Sequence, residues 1–343
     1  MGNAPTAAYG ACQQTPPAAA SSGAIERNLV RLAEQGDPHA QFQLGEQYYS
    51  KMSVGESEES GRYLDNKMAL KWYRRAANQG HPQAQCHLAW MYFSGVGVPQ
   101  DLEKASRLYM LAAENGFALA QNIMGTMYML GQGVKPDVGE AIRFYKLSAL
   151  QGFYGGQNNL GWLYHCGVGV PRDYGEAVRL FRLAAAQGNE TAETNLGWEL
   201  QNGNGVEMNL GEAIRLYRRA AAKRDKTAQF LLGWLFLNGY GVISPSVLES
   251  KMWLEMSGVD AAYGVIHQFG LQGPPDYELA LRRYSIAATA LNETSFVAKY
   301  CIGYLYDKGL GVEKNRSEAR RWYELSAEMG FNDARLKISS CNA

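Results

Sequence analysis

The sequence has little cysteine, no excess of charge of either sign and no long apolar run. Its five cysteines are scattered through 343 residues without a CxxC pair, which argues against a disulfide framework or a zinc site and fits a reducing compartment. Because 33 Lys and Arg balance 33 Asp and Glu, we expect no general affinity for nucleic acid or an anionic membrane. No apolar run approaches the roughly 20 residues that span a bilayer, so no transmembrane segment is predicted.

The start of the chain lacks the basic and apolar segments of a signal peptide. The Ala, Pro and Ser bias of residues 1–23 predicts a flexible tail. Gly2 begins a short myristoylation pattern, and Cys12 lies nearby, but such matches arise by chance and no lipid anchor is expected. A cytoplasmic location is favoured, and a secreted or periplasmic one is the alternative if a signal peptide has been removed.

Common catalytic motifs are also lacking, since the chain has no HExxH, GxSxG or GxxxxGK. His165 and Cys166 are neighbours in sequence, but consecutive side chains on a helix point apart. We therefore predict that the protein is not an enzyme and has no catalytic residue, metal ligand or cofactor.

What the sequence does contain is a repeat. The stretch LGWLYHCGVGV, from Leu160, recurs in similar form along the chain. Its counterparts begin at Leu88, Met124, Leu196, Leu232 and Ile302. The five copies between Leu88 and Leu232 start 36 residues apart, and a fixed period of this size is typical of repeat architectures.

Each repeat is predicted to form two antiparallel helices, which we name helix A and helix B. Leu160, Gly161 and Tyr164 are spaced for one face of helix A, and the missing side chain of Gly161 lets helix B approach closely. The glycines at 167 and 169 end helix A. Asp173 is a suitable N-cap for helix B.

On these residues the chain resembles the Sel1-like repeat family, a branch of the tetratricopeptide-like helical solenoids. The resemblance covers about residues 24–343. It implies an all-α fold, a right-handed α-solenoid of about eight helix-turn-helix repeats of 36 residues. It also implies that the protein binds other proteins or peptides, and the family has no shared catalytic residues.

We predict one solenoid domain after the tail, with a capping element at each end. A capping helix over 24–36 begins it and a C-terminal cap over 331–343 closes it. The repeats are predicted near 37–80, 81–116, 117–152, 153–188, 189–224, 225–255, 256–294 and 295–330. Two stretches depart from the pattern, namely a polar loop at 50–65 and an irregular region at 242–275, where Gly258 shortens a helix.

By analogy with tetratricopeptide packing, helix A lines the concave side of the solenoid. Tryptophans there would supply contact area, and asparagines could bond the main chain of an extended peptide. The alternative is that the tryptophans pack between adjacent A helices. The predicted groove residues are Trp90, Asn122, Asn158, Trp162, His165, Thr194, Trp198, Asn202, Phe230, Trp234, Tyr300 and Tyr304.

The sequence therefore predicts a monomeric protein-interaction scaffold or adaptor that holds an extended segment of another protein in this groove. One alternative is an inhibitor or immunity-type protein, in which the loop at 50–65 or the irregular region blocks a partner enzyme. A second is a hydrolase of cell-wall or peptide substrates, which would need converging carboxylates or a Cys/His set in the groove.

Overall fold

A computed structural model describes residues 23–53, 59–239, 245–290 and 293–341. The predicted tail, both lipidation residues and parts of the 50–65 loop and of the irregular region lie outside these ranges. The described residues form α-helices and no strand. The helices are α1 Gly23–Glu34, α2 Pro38–Ser53, α3 Glu59–Asn78, α4 Pro82–Ser94, α5 Leu102–Glu114, α6 Ala118–Leu130, α7 Val138–Leu150, α8 Tyr154–Cys166, α9 Tyr174–Ala186, α10 Glu190–Asn202, α11 Leu210–Ala222, α12 Lys226–Asn238, α13 Val247–Ser257, α14 Asp260–Gln268, α15 Tyr277–Ala287, α16 Glu293–Lys308, α17 Arg316–Glu328 and α18 Asn332–Cys341.

Helices α2 to α17 form successive hairpins, in which each even-numbered helix is a helix A and the next is its helix B. The predicted start and stop signals explain where they begin and end. Gly167 takes a left-handed φ of 71° just after α8, and Asp173 Oδ1 accepts a hydrogen bond from Glu176 N at 3.0 Å to cap α9. The predicted all-α fold of repeated helical hairpins is confirmed.

The close approach predicted at Gly161 is present in the hairpin that α8 and α9 form. A Cβ on Gly161 would lie 2.9 Å from the ring of Phe181, and Phe181 is buried. The glycine therefore leaves room for an aromatic ring of helix B, and the two residues interlock.

Adjacent hairpins are joined by a hydrogen bond that recurs along the array. A buried glutamine near the start of helix A donates its amide to a carbonyl near the end of the preceding helix B, where helical carbonyls lack partners. The four bonds run from Gln41 to Ala33, Gln85 to Ala77, Gln121 to Ala113 and Gln229 to Ala221, at 3.0, 3.3, 3.1 and 3.3 Å.

The second glycine of the turn also contacts the preceding hairpin. A Cβ on Gly205 would lie 2.6 Å from the main-chain nitrogen of Gly175, in the first turn of α9. The turn after α10 therefore rests directly on the backbone of the helix before it.

The chain divides into two compact units. We name the described residues up to Asn159 the N-terminal unit and those from Leu160 on the C-terminal unit. The C-terminal unit contains the irregular region, where α13, α14 and α15 have 11, 9 and 11 residues. Gly258, with a left-handed φ of 60°, ends α13 early, as the sequence predicts.

Candidate functional site

We use inner face for the side of the A helices that carries the predicted groove residues. In the N-terminal unit, aromatic side chains on this face are partly exposed. Trp90 on α4 is half-buried, and the ring of Tyr49 meets it edge-on with centroids 5.6 Å apart. Phe93, one turn further along α4, is also half-buried. Each of these three side chains is therefore partly exposed, and binding of a partner by Trp90 stays a prediction.

The predicted asparagines of this unit are buried beside that surface. Asn159 Nδ2 donates to Asn122 Oδ1 at 2.9 Å, and Asn158 Nδ2 lies 3.4 Å from Asn159 Oδ1. Asn122 Nδ2 is buried and has no hydrogen-bond partner among the described residues. Asn122 therefore has an unused donor, whereas its oxygen is already occupied.

In the C-terminal unit, the same face is covered by the chain itself. Trp198 is only 1% exposed, and its ring lies 5.7 Å from that of Phe296 on α16 and 5.4 Å from that of Phe331 before α18. Trp234 is buried too, with the ring of Tyr300 at 6.3 Å. Among the described residues, Phe296 and Tyr300 of α16 and Phe331 before α18 thus cover these two tryptophans, so neither indole is open to a partner in this structure.

His165, expected as a groove residue, is also buried. Its Nδ1 pairs with the carboxylate of Glu199 on α10, and only 5% and 1% of the two side chains is exposed. The rings of Tyr174 and Phe296 lie beside the imidazole, at 5.4 and 6.1 Å. A substrate cannot reach a histidine–carboxylate pair that is enclosed in this way. The pair therefore links α8 to α10 and has a structural role.

Three further groove candidates of this unit lie in the interior rather than on a surface. The Thr194 hydroxyl donates to Asp225 Oδ1 at 3.0 Å, and Phe230 is fully buried. Asn202 Nδ2 donates to the carbonyl of Trp198 at 2.9 Å. Binding of a partner by these residues stays a prediction, and it requires a rearrangement that exposes them.

The remaining candidates of the C-terminal unit, Trp162, Tyr300 and Tyr304, are half-buried. Burial raises the pKa of Tyr300 to about 12, so this hydroxyl stays protonated at neutral pH. Burial likewise raises the pKa of the neighbouring Cys301 thiol to about 12, which makes it a poor nucleophile.

Sequence reasoning missed the residues that close this face. Phe331 and Phe296 come from helices more than 90 residues beyond Trp198, and a local pattern does not bring them together. Asn204 gave only a weak signal: it lies between the two turn glycines, where other repeats have Val, Gln, Tyr or Leu, and the Gln is an amide too. The Asn204 amide contacts the segment before α18.

The cations of helix B pair with carboxylates of the same helix, as their spacing indicates. In the described residues, four arginines lie within 4 Å of a glutamate three positions earlier. The pairs are Arg143–Glu140, Arg179–Glu176, Arg215–Glu212 and Arg321–Glu318, at 2.8, 2.6, 2.7 and 3.5 Å. The charges of these four helix B arginines are therefore neutralised by glutamates of the same helices, and this surface does not favour an acidic partner.

The described residues contain no cluster of three or more His, Cys, Asp or Glu side chains that could hold a metal ion. None of their helices combines the length and the apolar character needed to cross a membrane.

The Sel1 repeat pattern matches this chain eight times. The matched residues are 38–81, 82–117, 118–153, 155–189, 191–225, 226–258, 261–290 and 297–331. Sel1 repeat proteins generally mediate protein–protein interactions, and their fold is typically a non-enzymatic scaffold.

The chain is similar to two solved structures and to a mouse protein. The crystal structure of c5321, a protective antigen of uropathogenic Escherichia coli with an SLR fold, shares 34% identity and a TM-score of 0.58, over 92% of this chain and 66% of that one. A Sel1 repeat protein from Oxalobacter formigenes shares 25% identity and a TM-score of 0.56, over 83% and 96%.

The mouse relative, protein sel-1 homolog 2, is 38% identical over 65 residues, which is 19% of this chain and 9% of the relative. The chain thus matches only a small part of this curated relative and less than two thirds of the c5321 chain. The eight repeat matches extend over most of the sequence, and the chain therefore belongs to the Sel1 repeat family.

Proposed function

We propose that this protein is an interaction scaffold that binds an extended segment of another protein along the inner face of its A helices. The observation that carries the proposal is the half-buried aromatic surface of the N-terminal unit, formed by Trp90, Phe93 and Tyr49. Aromatic rings that stay accessible on a folded domain are typical anchors for a partner.

Asn122 would have to rearrange to take part in binding. Its Nδ2 is buried without a hydrogen bond inside the described residues, and its side chain on α6 is fully buried. A main-chain carbonyl of a bound segment would satisfy this donor only after the side chain turned toward the surface.

The test compares capture of a partner by the native chain and by a Trp90→Ala/Phe93→Ala variant. The matched control is Leu150→Ala, which removes an exposed apolar residue from helix B. Loss of a specific partner by the double variant alone, with helix content unchanged by circular dichroism, supports the proposal. Equal capture by all three proteins would place binding on another surface.

A second candidate is the inhibitor or immunity-type role, and the irregular region favours it. In a regular repeat such as the one that contains α9, Leu180 and Ala184 are buried. Their counterparts on α13, Met252 and Met256, are exposed, and so is Leu248 one turn earlier. The three side chains form a continuous apolar stripe with a spacing of four residues.

This candidate is tested by replacing Met252 and Met256 with serine, which keeps the helix but removes the stripe. Blocking of a captured enzyme should disappear in the Met252→Ser/Met256→Ser variant and persist in the Trp90→Ala/Phe93→Ala variant. The reverse result would assign the interaction to the inner face.

A further inference from the structure

The segment before α18 inserts an aromatic side chain between rings of the C-terminal unit. Phe331 is fully buried. Its ring stacks on Trp198, with centroids 5.4 Å and planes 26° apart, and meets Tyr300 edge-on at 5.3 Å. The inner face of the unit therefore holds an aromatic anchor, as a peptide groove would.

Two asparagines hold the main chain on either side of that anchor. Asn204 Nδ2 donates to the carbonyl of Gly330 at 3.2 Å, and Asn332 N donates to Asn202 Oδ1 at 3.0 Å. Phe331 has no side-chain oxygen to cap α18, so Asn202 supplies the missing acceptor from a helix about 130 residues earlier. These bonds recognise backbone atoms, which any segment of the same conformation would offer.

The glycine before the anchor is favoured by its left-handed backbone and by the contacts around it. Gly330 has a left-handed φ of 87°, and a Cβ there would lie 2.7 Å from Asn204 Nδ2 and 3.5 Å from His165 Cε1. The surroundings thus accept a residue without a side chain, followed by an aromatic residue, at the start of a helix. We name Gly330–Asn332 the latch, and Trp198, Tyr300, Asn202 and Asn204 the latch site.

When the latch occupies the latch site, some buried polar atoms of this unit make no hydrogen bond within the described residues. Trp198 Nε1 and Glu199 Oε2 are buried and make no hydrogen bond within the described residues. A buried donor or acceptor without a partner weakens the state that contains it. An incoming segment with one further polar group could satisfy them, which would favour exchange over the closed form.

We propose that the latch site is a recognition site for a Gly–aromatic segment at the start of a helix. In this structure the chain's own latch occupies it, and a segment of the same chemistry from a partner protein displaces the latch. The inference rests on the proposed function, because it specifies the segment that the A helices of the C-terminal unit bind.

The experiment uses a fluorescein-labelled peptide with the sequence of residues 326–341 and Cys341→Ser. Its binding to the native chain is compared with binding to a full-length Phe331→Ala chain by fluorescence anisotropy. A tethered latch competes at an effective concentration that reaches the millimolar range, so we expect the variant to bind the peptide at least about 10-fold more tightly. A peptide carrying Phe331→Ala is the matched control and should not bind.

The latch site itself is tested by adding Asn202→Ala and Asn204→Ala to the Phe331→Ala chain. These changes remove the main-chain contacts, and the gain in affinity should be lost. Equal affinity of the native and Phe331→Ala chains, or equal binding of both peptides, would overturn the proposal. The Trp90→Ala/Phe93→Ala variant should still bind the latch peptide normally, which separates this result from the test of the proposed function.

If the Phe331→Ala chain loses helix content, Gly330→Ala is the second variant. It keeps the aromatic ring but introduces the Cβ that would lie 2.7 Å from Asn204. The same gain in peptide affinity is expected. No gain in a folded Gly330→Ala chain would contradict the proposal as directly as the first result.

Discussion

Trp90 and Trp198 occupy the same position of their repeats, but the two side chains differ in how deeply they are buried. On α4 the indole is half-buried and has an edge-on tyrosine beside it, whereas on α10 it is enclosed by Phe296 and Phe331. The repeat fixes which way the side chain points. What covers it depends on helices far away in sequence, so the repeat position alone does not define a binding site.

We expect the two units to differ most in the free energy of unfolding that is lost when this tryptophan is replaced by alanine. We expect Trp198→Ala to lower the free energy of unfolding by about 3–5 kcal/mol, because it leaves a cavity between packed rings. Trp90→Ala should cost about 1–2 kcal/mol, since less surface is buried there. Urea denaturation followed by circular dichroism measures both, and equal losses would remove the distinction between the units.

A smaller loss is expected at Asn202, which bonds both its own helix and α18. Asn238 is the matched control, because its Nδ2 makes the same local bond to Trp234 O at 2.8 Å. We expect Asn202→Ala to cost about 1–2 kcal/mol, since it leaves a partly buried main-chain donor unpaired at Asn332. Hydrogen exchange should show faster exchange in α18 for Asn202→Ala and not for Asn238→Ala.

The attachment of α18 should weaken as the pH rises. Burial raises the pKa of Asp333 from 3.8 to about 6, and the charge of Lys337 opposes part of that rise. Because the folded pKa is the higher one, this carboxyl contributes stability that is fully present below about pH 3.8 and is lost as the pH rises through about 6.

Hydrogen exchange in α18 should therefore be slower at about pH 5 than at about pH 7.5, after correction for the intrinsic rate. An Asp333→Asn chain should show no such difference. A difference that persists in that variant would mean that another group titrates.

The N-terminal unit should respond in the opposite direction. Burial, and then the nearby charge of His39, lower the pKa of His81 from 6.5. A depressed histidine pKa means that the unfolded chain binds protons more readily, so stability is highest above about pH 6.5 and falls on acidification. His81 Nδ1 also accepts from Ala84 N at 3.3 Å to cap α4, and protonation removes that acceptor.

The matched variant is His81→Asn, because Asn189 caps α10 in the same way at 2.8 Å and does not titrate. Thermal unfolding should become less sensitive to pH between about 5 and 8 in this variant. An unchanged pH profile would mean that another group is responsible and would contradict the prediction.

The repeat hairpin was predictable because its signals are local. Asp173 caps the helix that it precedes, Gly161 admits Phe181 from the next helix, and each needs only residues within one repeat. The cover over Trp198 was not predictable, since it depends on small rotations between successive repeats that add up over many hairpins. No residue near Trp198 encodes that sum.

The predicted groove residues illustrate the same limit. The positions were correctly assigned to the A helices, but Thr194 and Phe230 lie in the interior of the C-terminal unit. An accessible groove position and a buried one have the same sequence pattern when the cover comes from a distant helix. The buried pair of His165 and Glu199 shows this too, because the sequence placed neither partner against the other.

The contact of Gly205 with the start of α9 makes the turn a spacer between two hairpins. A single added methyl group, 2.6 Å from Gly175 N, would push the hairpins apart and change the rotation from one to the next. Every later hairpin would inherit that rotation, so the displacement would grow along the unit and be largest at α18. One turn glycine thus contributes one term to the sum that brings a helix more than 100 residues away to Trp198, and exchange at this position would change the rotation between hairpins without altering any residue that contacts a ligand.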